Sequence, residues 1–456
     1  MQLYIFIIFC LAIKCSAFLP RSLWKPRNEF YTSNNNIQLP VKSKSPILNE
    51  LTGFYGLIGP NMNFYNASSL IELFTGDGII QGVFFNKGNI TFVSHIIETE
   101  KVKFERVNGI IPKNFISLIL YALNLLPVSQ GVANTAMINF SNTTLALHET
   151  DHPYSLNIDF NKQRVTTLEK LRVRGLNSVS GHTKVTDSTL ITLDYDILNK
   201  IVNVVTTDHD LNIIQRIPVK TTYLPVIHDF INTDKYVIFI DSPLTIQLKN
   251  ILNKAFPVAL ANNLPTYIHV ISKKSLKVEK YTLFESFYAF HLGKFIETRN
   301  SFRFGALEVD DLDFSSLLFH PKLREIIIDK KSGFVRNKSY KELEKIDIDF
   351  AQKIDDTRTL YNLIGPTGFY GFAICKDFQL LKKIIFDQGT ILGEPQIIEW
   401  NDTPYVIGFI KTETNCSLLV MNLNNYDQET IYIPLSITEG FHSIFIKNIK
   451  IYRWYL

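Results

Sequence analysis

Four histidines in this sequence stand in settings that could hold a metal ion. His182 lies in Ser180-Gly-His-Thr-Lys184, His228 in Ile227-His-Asp-Phe230, His291 in Ala289-Phe-His-Leu292 and His442 in Glu439-Gly-Phe-His-Ser443. Each sits beside apolar or small residues at the end of a strand-like run. A neutral imidazole offers a lone pair that suits divalent transition metals. Separations of 46, 63 and 151 residues exclude a local finger-type site, whose ligands come in closely spaced pairs. They suit one ligand from each of several strand groups that converge on an axis. A single histidine beside phenylalanine is more often a packed residue than a ligand, so the chemical argument belongs to the set of four.

The elements that must position such a set read as strands. From about residue 50 onward, short runs rich in Val, Ile, Phe and Tyr alternate with polar turns. Gly82–Phe85, Leu145–Leu147, Thr189–Leu193, Val202–Thr206, Tyr236–Ile240, Tyr267–Ile271, Tyr370–Cys375 and Tyr405–Ile410 are examples. This spacing predicts one large all-β domain, which a sandwich, a barrel or a propeller would satisfy. No repeat of the WD or kelch kind marks individual blades. Two stretches read as helix, Phe115–Val128 and Leu244–Ala255. The first, FISLILYALNLLPV, is too short to span a bilayer but suits a buried helix or one lying in a membrane surface.

Composition narrows the function classes. The chain is 46% hydrophobic and 20% charged, ordinary for a protein with a sizeable core. A formal charge of +4 over 456 residues gives no electrostatic case for nucleic acid. Cys10 and Cys15 lie in the N-terminal apolar segment, and Cys375 and Cys416 form no metal-binding pair and no disulfide framework. Residues 1–17 read as a signal peptide, although no basic residue precedes the apolar run. Residues 18–48 open on Phe18 and carry Arg21, Lys25, Arg27, Lys42 and Lys44 against Glu29 alone, a transit-peptide-like segment expected to be removed or disordered. Such a two-part leader points to a complex plastid, with secretion or the endoplasmic reticulum as the alternative. The folded domain is then expected over residues 49–456.

Several motifs, in order, resemble those of the carotenoid cleavage oxygenase family. Gly56-Leu-Ile-Gly-Pro-Asn61 is similar to its opening Gly-Pro-Asn segment, and Phe74-Thr-Gly-Asp-Gly78 to its Phe-Asp-Gly-Asp-Gly motif. Val132-Ala-Asn-Thr135 and Leu147-His-Glu-Thr150 follow. Ser180-Gly-His-Thr-Lys184 resembles Ser-Ala-His-Pro-Lys, and Ile227-His-Asp-Phe230 resembles Met-His-Asp-Phe. Phe290-His291, Gly393-Glu-Pro395 and Glu439-Gly-Phe-His442 complete the series.

The resemblance implies a seven-bladed β-propeller with a helical cap on one face, reduced here because the separations between ligands are short. It implies Fe(2+) held by His182, His228, His291 and His442, with Glu149, Glu394 and Asp349 hydrogen-bonded behind the ligands. Asp349 stands where the family has glutamate, in Ile348-Asp-Phe-Ala351, so its bond to an imidazole is expected to be stretched or lost. His291 is followed by Leu292-Gly-Lys-Phe, a second departure that leaves substrate choice open. The implied activity is O2-dependent cleavage of a carotenoid or apocarotenoid double bond to carbonyl products. Polyene isomerisation at the same iron, and a carotenoid-binding propeller without turnover, are the alternatives. The implied partners are the polyene, O2 and a membrane surface, with no nucleic acid and no obligatory protein partner. Membrane docking would fall to Phe115, Ile116, Leu118, Ile119, Leu120, Leu123, Leu125 and Leu126.

Overall fold

The computed structural model describes residues 37–41, 46–61, 67, 69–109, 128–129, 131–247, 249–250, 256–317 and 319–448. Residues 1–17, expected to be a signal peptide, and the expected docking segment Phe115–Leu126 lie outside these residues. The described chain is all-β with short helices, built from antiparallel strand groups that follow one another along the sequence. The strand-like runs of the sequence coincide with observed strands, among them Tyr236–Ile240 in Tyr236–Asp241, Tyr370–Cys375 in Gly368–Lys376 and Tyr405–Ile410 in Thr403–Lys411, while Thr189–Leu193 begins one residue before Leu190–Asp196. No helix among the described residues is long and apolar enough to cross a membrane.

Burial along the strands tells their place. The strand Ile213–Lys220 alternates between more and less buried positions, as expected where one face meets solvent. Thr52–Pro60 and Gly78–Asn86 are buried on both faces. Core residues join each group to the next. Leu193 and Val204 pack with Phe239 and Ile271. Ile240 and Ile268 pack with Phe304 and Ile326, and Leu307 and Leu323 pack with Tyr361 and Ala373. Leu360 and Phe372 meet Val406 and Leu419. A last cluster brings Phe409 and Leu418 back to Tyr55 and Phe92 of the first sheet.

The same return is made by hydrogen bonds. The strand Ser443–Lys447 pairs antiparallel with Thr52–Pro60, Ser443 opposite Leu57 and Lys447 opposite Gly53. Just upstream, Phe441 N–H donates to Ile58 O at 2.7 Å and Ile58 N–H to His442 O at 2.9 Å. The backbones meet so closely that a Cβ on Gly59 would lie 2.4 Å from Gly440 Cα.

Two expectations change. Ile37–Val41, assigned to the leader in sequence, is an edge strand paired with Asn89–Ile96, and Leu48 in the helix Pro46–Glu50 is fully buried. The folded domain therefore begins before residue 49, because these residues cover the edge of the first sheet. Leu244–Ala255 does not begin as a helix. Leu244–Ile246 pairs as a strand with Val258–Leu260, since buried Leu244 packs on Tyr288 and Phe290. Residues 249–250 are helical, and 251–255 lie outside the described residues. Cys375 and Cys416 are both buried and unpaired.

The helix Glu100–Asn108 is capped by Thr99, whose side chain accepts from Val102 N–H, and Gly109 ends it at φ 94°. Lys101 on this helix is buried between Asp77 at 2.6 Å and Glu105 at 3.0 Å. That pair fixes the helix to the Phe74–Gly78 turn.

Gly59→Ala should lower stability by about 1–3 kcal/mol, the usual cost of forcing atoms into a filled core. A urea midpoint equal to that of wild type would count against the close approach of the two chain segments.

Candidate metal centre

All four histidines occupy one kind of place. His182 lies in the turn before the strand Lys184–Val185, and His228 lies just before Ile231–Asn232. His291 is near the start of Tyr288–Glu297, at a register shift between Ala289 and Leu292. His442 immediately precedes Ser443–Lys447. Each strand that a ligand opens lies at one end of its sheet's strand order, so four sheets each contribute one imidazole.

The geometry brings the four together. One ring nitrogen from each lies within 4.8 Å of all the others. His182 Nε2 is 3.1 Å from His228 Nε2, and His291 Nε2 is 3.4 Å from His442 Nε2. Nitrogens bound to one ion at about 2.0–2.1 Å sit about 3 Å apart when adjacent and about 4 Å apart when opposite. The His182–His228 and His291–His442 separations lie near the adjacent spacing.

Three carboxylates set the direction of the lone pairs. Glu149 Oε1 is 2.8 Å from His228 Nδ1, Asp349 Oδ1 is 2.6 Å from His291 Nδ1, and Glu394 Oε2 is 3.0 Å from His442 Nδ1. A carboxylate only accepts, so Nδ1 of His291 and of His442 carries the proton, and in the neutral rings Nε2 presents the lone pair. His291 and His442 therefore aim two lone pairs at each other across 3.4 Å. Without a cation between them that arrangement is repulsive. Chemically, the donor set fits a divalent metal ion.

Burial shapes the protonation of the ligands. Burial, followed by the neighbouring imidazoles, pushes His182 well below the ordinary histidine range. Burial also lowers His442, with Glu394 opposing. For His291 burial pulls down, but Asp349, Asp229 and Glu394 together outweigh it and hold the group above its ordinary value. A metal ion competes with that proton, so affinity at His291 should fall as pH falls.

The expectation that Asp349 would reach poorly is overturned. Its strand, Asp347–Lys353, shifts register between Asp349 and Gln352, and Phe350 sits at φ 54°. At this bulge the Asp349 carboxylate reaches His291 Nδ1 at 2.6 Å despite its shorter side chain. A bulky residue held at positive φ costs about 1–3 kcal/mol, and the Phe350 ring lies 5.0 Å from that of His291 and 5.2 Å from that of His442. At the first ligand, Gly181 leaves room for Glu149, because a Cβ there would lie 2.6 Å from Glu149 Oε1.

Sequence reasoning missed several groups that hold the site. Gln352 donates from Nε2 to Glu394 Oε1 and so fixes the second oxygen of that carboxylate. Tyr195 donates to Ile227 O at 2.5 Å, next to His228. Asp229 binds Lys184 and the Leu292 backbone. No spacing rule singles these residues out, since each acts on a residue far from it in the sequence. Apolar rings border the cluster: Phe290 lies 5.5 Å from His228, and Phe74 lies 6.0 Å from Phe290 and 5.8 Å from Phe441.

The model of the family described as RPE65, retinal pigment epithelial membrane protein, matches residues 36–447. The chain belongs to this family of carotenoid cleavage oxygenases. Among relatives, carotenoid 9,10(9',10')-cleavage dioxygenase 1 of Arabidopsis thaliana is 24% identical over 89% of this chain and 88% of its own length. The probable carotenoid cleavage dioxygenase 4, chloroplastic, of the same plant is 24% identical over 87% of this chain and 76% of its own. A variant of the Synechocystis apocarotenoid oxygenase has the same fold, with a TM-score of 0.75 at 15% identity over 91% of this chain and 96% of its own.

Removing a carboxylate from behind a family-type ligand costs about 10–100-fold in metal affinity or activity. Glu149→Ala and Glu394→Ala should each lower metal retention by that factor while near-UV circular dichroism stays native. Full metal content in both would remove the assigned role of these carboxylates.

Proposed function

We propose that this protein is an Fe(2+)-dependent dioxygenase that cleaves a double bond of a carotenoid or apocarotenoid with O2, giving two carbonyl products. The observation that carries the reading is the convergence of four imidazoles, two of them hydrogen-bonded through Nδ1 to Asp349 and Glu394 and a third facing Glu149 at 2.8 Å. The relatives' activities, named as carotenoid cleavage, support the substrate class. In this reading the strand groups are the blades of a seven-bladed propeller, and the Leu70–Phe74 helix and the paired strands Leu244–Ile246 and Val258–Leu260 belong to a small cap.

His182, His228, His291 and His442 would hold the iron, and four neutral ligands leave its full charge in place. Bound there, Fe(2+) would supply the electrons and open positions needed to activate O2. Every other task falls to the chain. Asp349 and Glu394 hold the Nδ1 protons of His291 and His442, and Glu149 faces Nδ1 of His228 at 2.8 Å, so that each of these rings is oriented by a carboxylate. Phe74, Phe290, Phe350 and Phe441 form an apolar wall beside the cluster, which suits an uncharged polyene and excludes water. A carotenoid resides in lipid, so the substrate would be reached at a membrane surface through the Phe115–Val128 segment. A plastid location through residues 1–17 and the segment after them accords with the chloroplastic relative.

Purified protein should contain about one iron per chain and convert a carotenoid or apocarotenoid to carbonyl products under O2. His228→Ala should lose both the iron and the products. Wild type that takes up no Fe(2+) after anaerobic reconstitution, or that binds iron and leaves every polyene intact, would sink this reading.

A further inference from the structure

Three of the ligands have a carboxylate at hydrogen-bonding distance from Nδ1, and His182 does not: its Nδ1 lies 3.6 Å from Asp229 Oδ1. Asp229 is buried, and its two oxygens reach three ligand-bearing segments. Oδ1 accepts from Lys184 Nζ at 2.6 Å and from Phe230 N–H at 2.8 Å. Oδ2 accepts from Leu292 N–H at 3.0 Å. Lys184 lies two residues beyond His182, Asp229 follows His228, and Leu292 follows His291. The strands these segments open lie in three different sheets. One carboxylate thus ties together the backbones that carry three of the four imidazoles.

We propose that Asp229, held by Lys184, is a positioning residue that sets the mutual placement of His182, His228 and His291. The proposal rests on the metal-site reading above. The reasoning is geometric. Hydrogen bonds to a charged group are short and directional, and two of the three donors here are backbone N–H groups that cannot turn away. Lys184 and Phe230 already occupy Oδ1, which keeps that oxygen from closing on His182. With the lysine removed, Oδ1 is free to move the 3.6 Å pair into a hydrogen bond, turning the first ligand relative to the other three. Lys184 is also seated 5.4 Å over the Phe230 ring, so its ammonium has a fixed place despite partial exposure.

The test is a Co(2+) titration of the full chain, followed by the d–d absorption of the bound ion, with near-UV circular dichroism to report the fold. Wild type, Asp229→Asn, Lys184→Met and Lys184→Arg are compared. Asp229→Asn should bind Co(2+) about 10–100-fold more weakly and show a shifted band. Lys184→Met should also shift the band, and Lys184→Arg should keep the wild-type band because its guanidinium still donates. A role in folding alone would leave the band of the bound ion unmoved. Wild-type affinity and band in both Asp229→Asn and Lys184→Met would overturn the proposal. If Asp229→Asn does not fold, Lys184→Met decides, and an unchanged band there overturns it. Failure of wild type to take up Co(2+) would overturn the metal-site reading itself and this proposal with it.

Discussion

Two imidazole lone pairs held 3.4 Å apart, those of His291 and His442, are the constraint on which the rest of this structure depends. Left to themselves the rings would turn away from each other. Asp349 and Glu394 prevent this by accepting the Nδ1 protons, and a third carboxylate, Glu149, lies 2.8 Å from Nδ1 of His228. Three buried or half-buried negative charges beside four imidazoles are costly in a low-dielectric interior unless a cation offsets them. The polar design is therefore complete only with positive charge at its centre. Each carboxylate is in turn held in place: Gln352 holds Glu394, the bulge at Phe350 holds Asp349, and the space left by Gly181 admits Glu149.

The fold serves this arrangement by bringing four separate sheets to one point. Strands packed face to face through aliphatic clusters give the rigidity that a set of ligands far apart in sequence requires. The most distant of them depends on the segment Gly440–His442. Its backbone bonds to Ile58 on one side and to Leu392 and Glu394 on the other. Those bonds place His442 and its partner Glu394 by the same set of contacts, so ligand and carboxylate cannot drift apart independently.

Much of this was legible in the sequence, and the reasons differ by residue. The four histidines stood out because each sits in a short motif at a strand end, and the order of motifs identified the family. The strands were visible as β-branched and aromatic runs. The reach of Asp349 was misjudged because side-chain length was read without the backbone, and a bulge has no signature in composition. Asp229 was in view within Ile227-His-Asp-Phe230, but its partners Lys184 and Leu292 lie on other sheets and only packing reveals them. Ile37–Val41 was hidden by its basic surroundings, since an edge strand needs little apolar character to pair.

The strand that carries His442 into the first sheet also sets an order of events during synthesis. His442 follows His291 by 151 residues. At about 5–20 residues per second, the ribosome delivers it roughly 8 to 30 seconds after the third ligand. Through that interval the nascent chain can present at most three of its imidazoles, a set with its own metal preference. The fourth arrives with the strand that knits residues 443–447 to residues 53–57, so in the proposed reading the full donor set forms only near the end of synthesis.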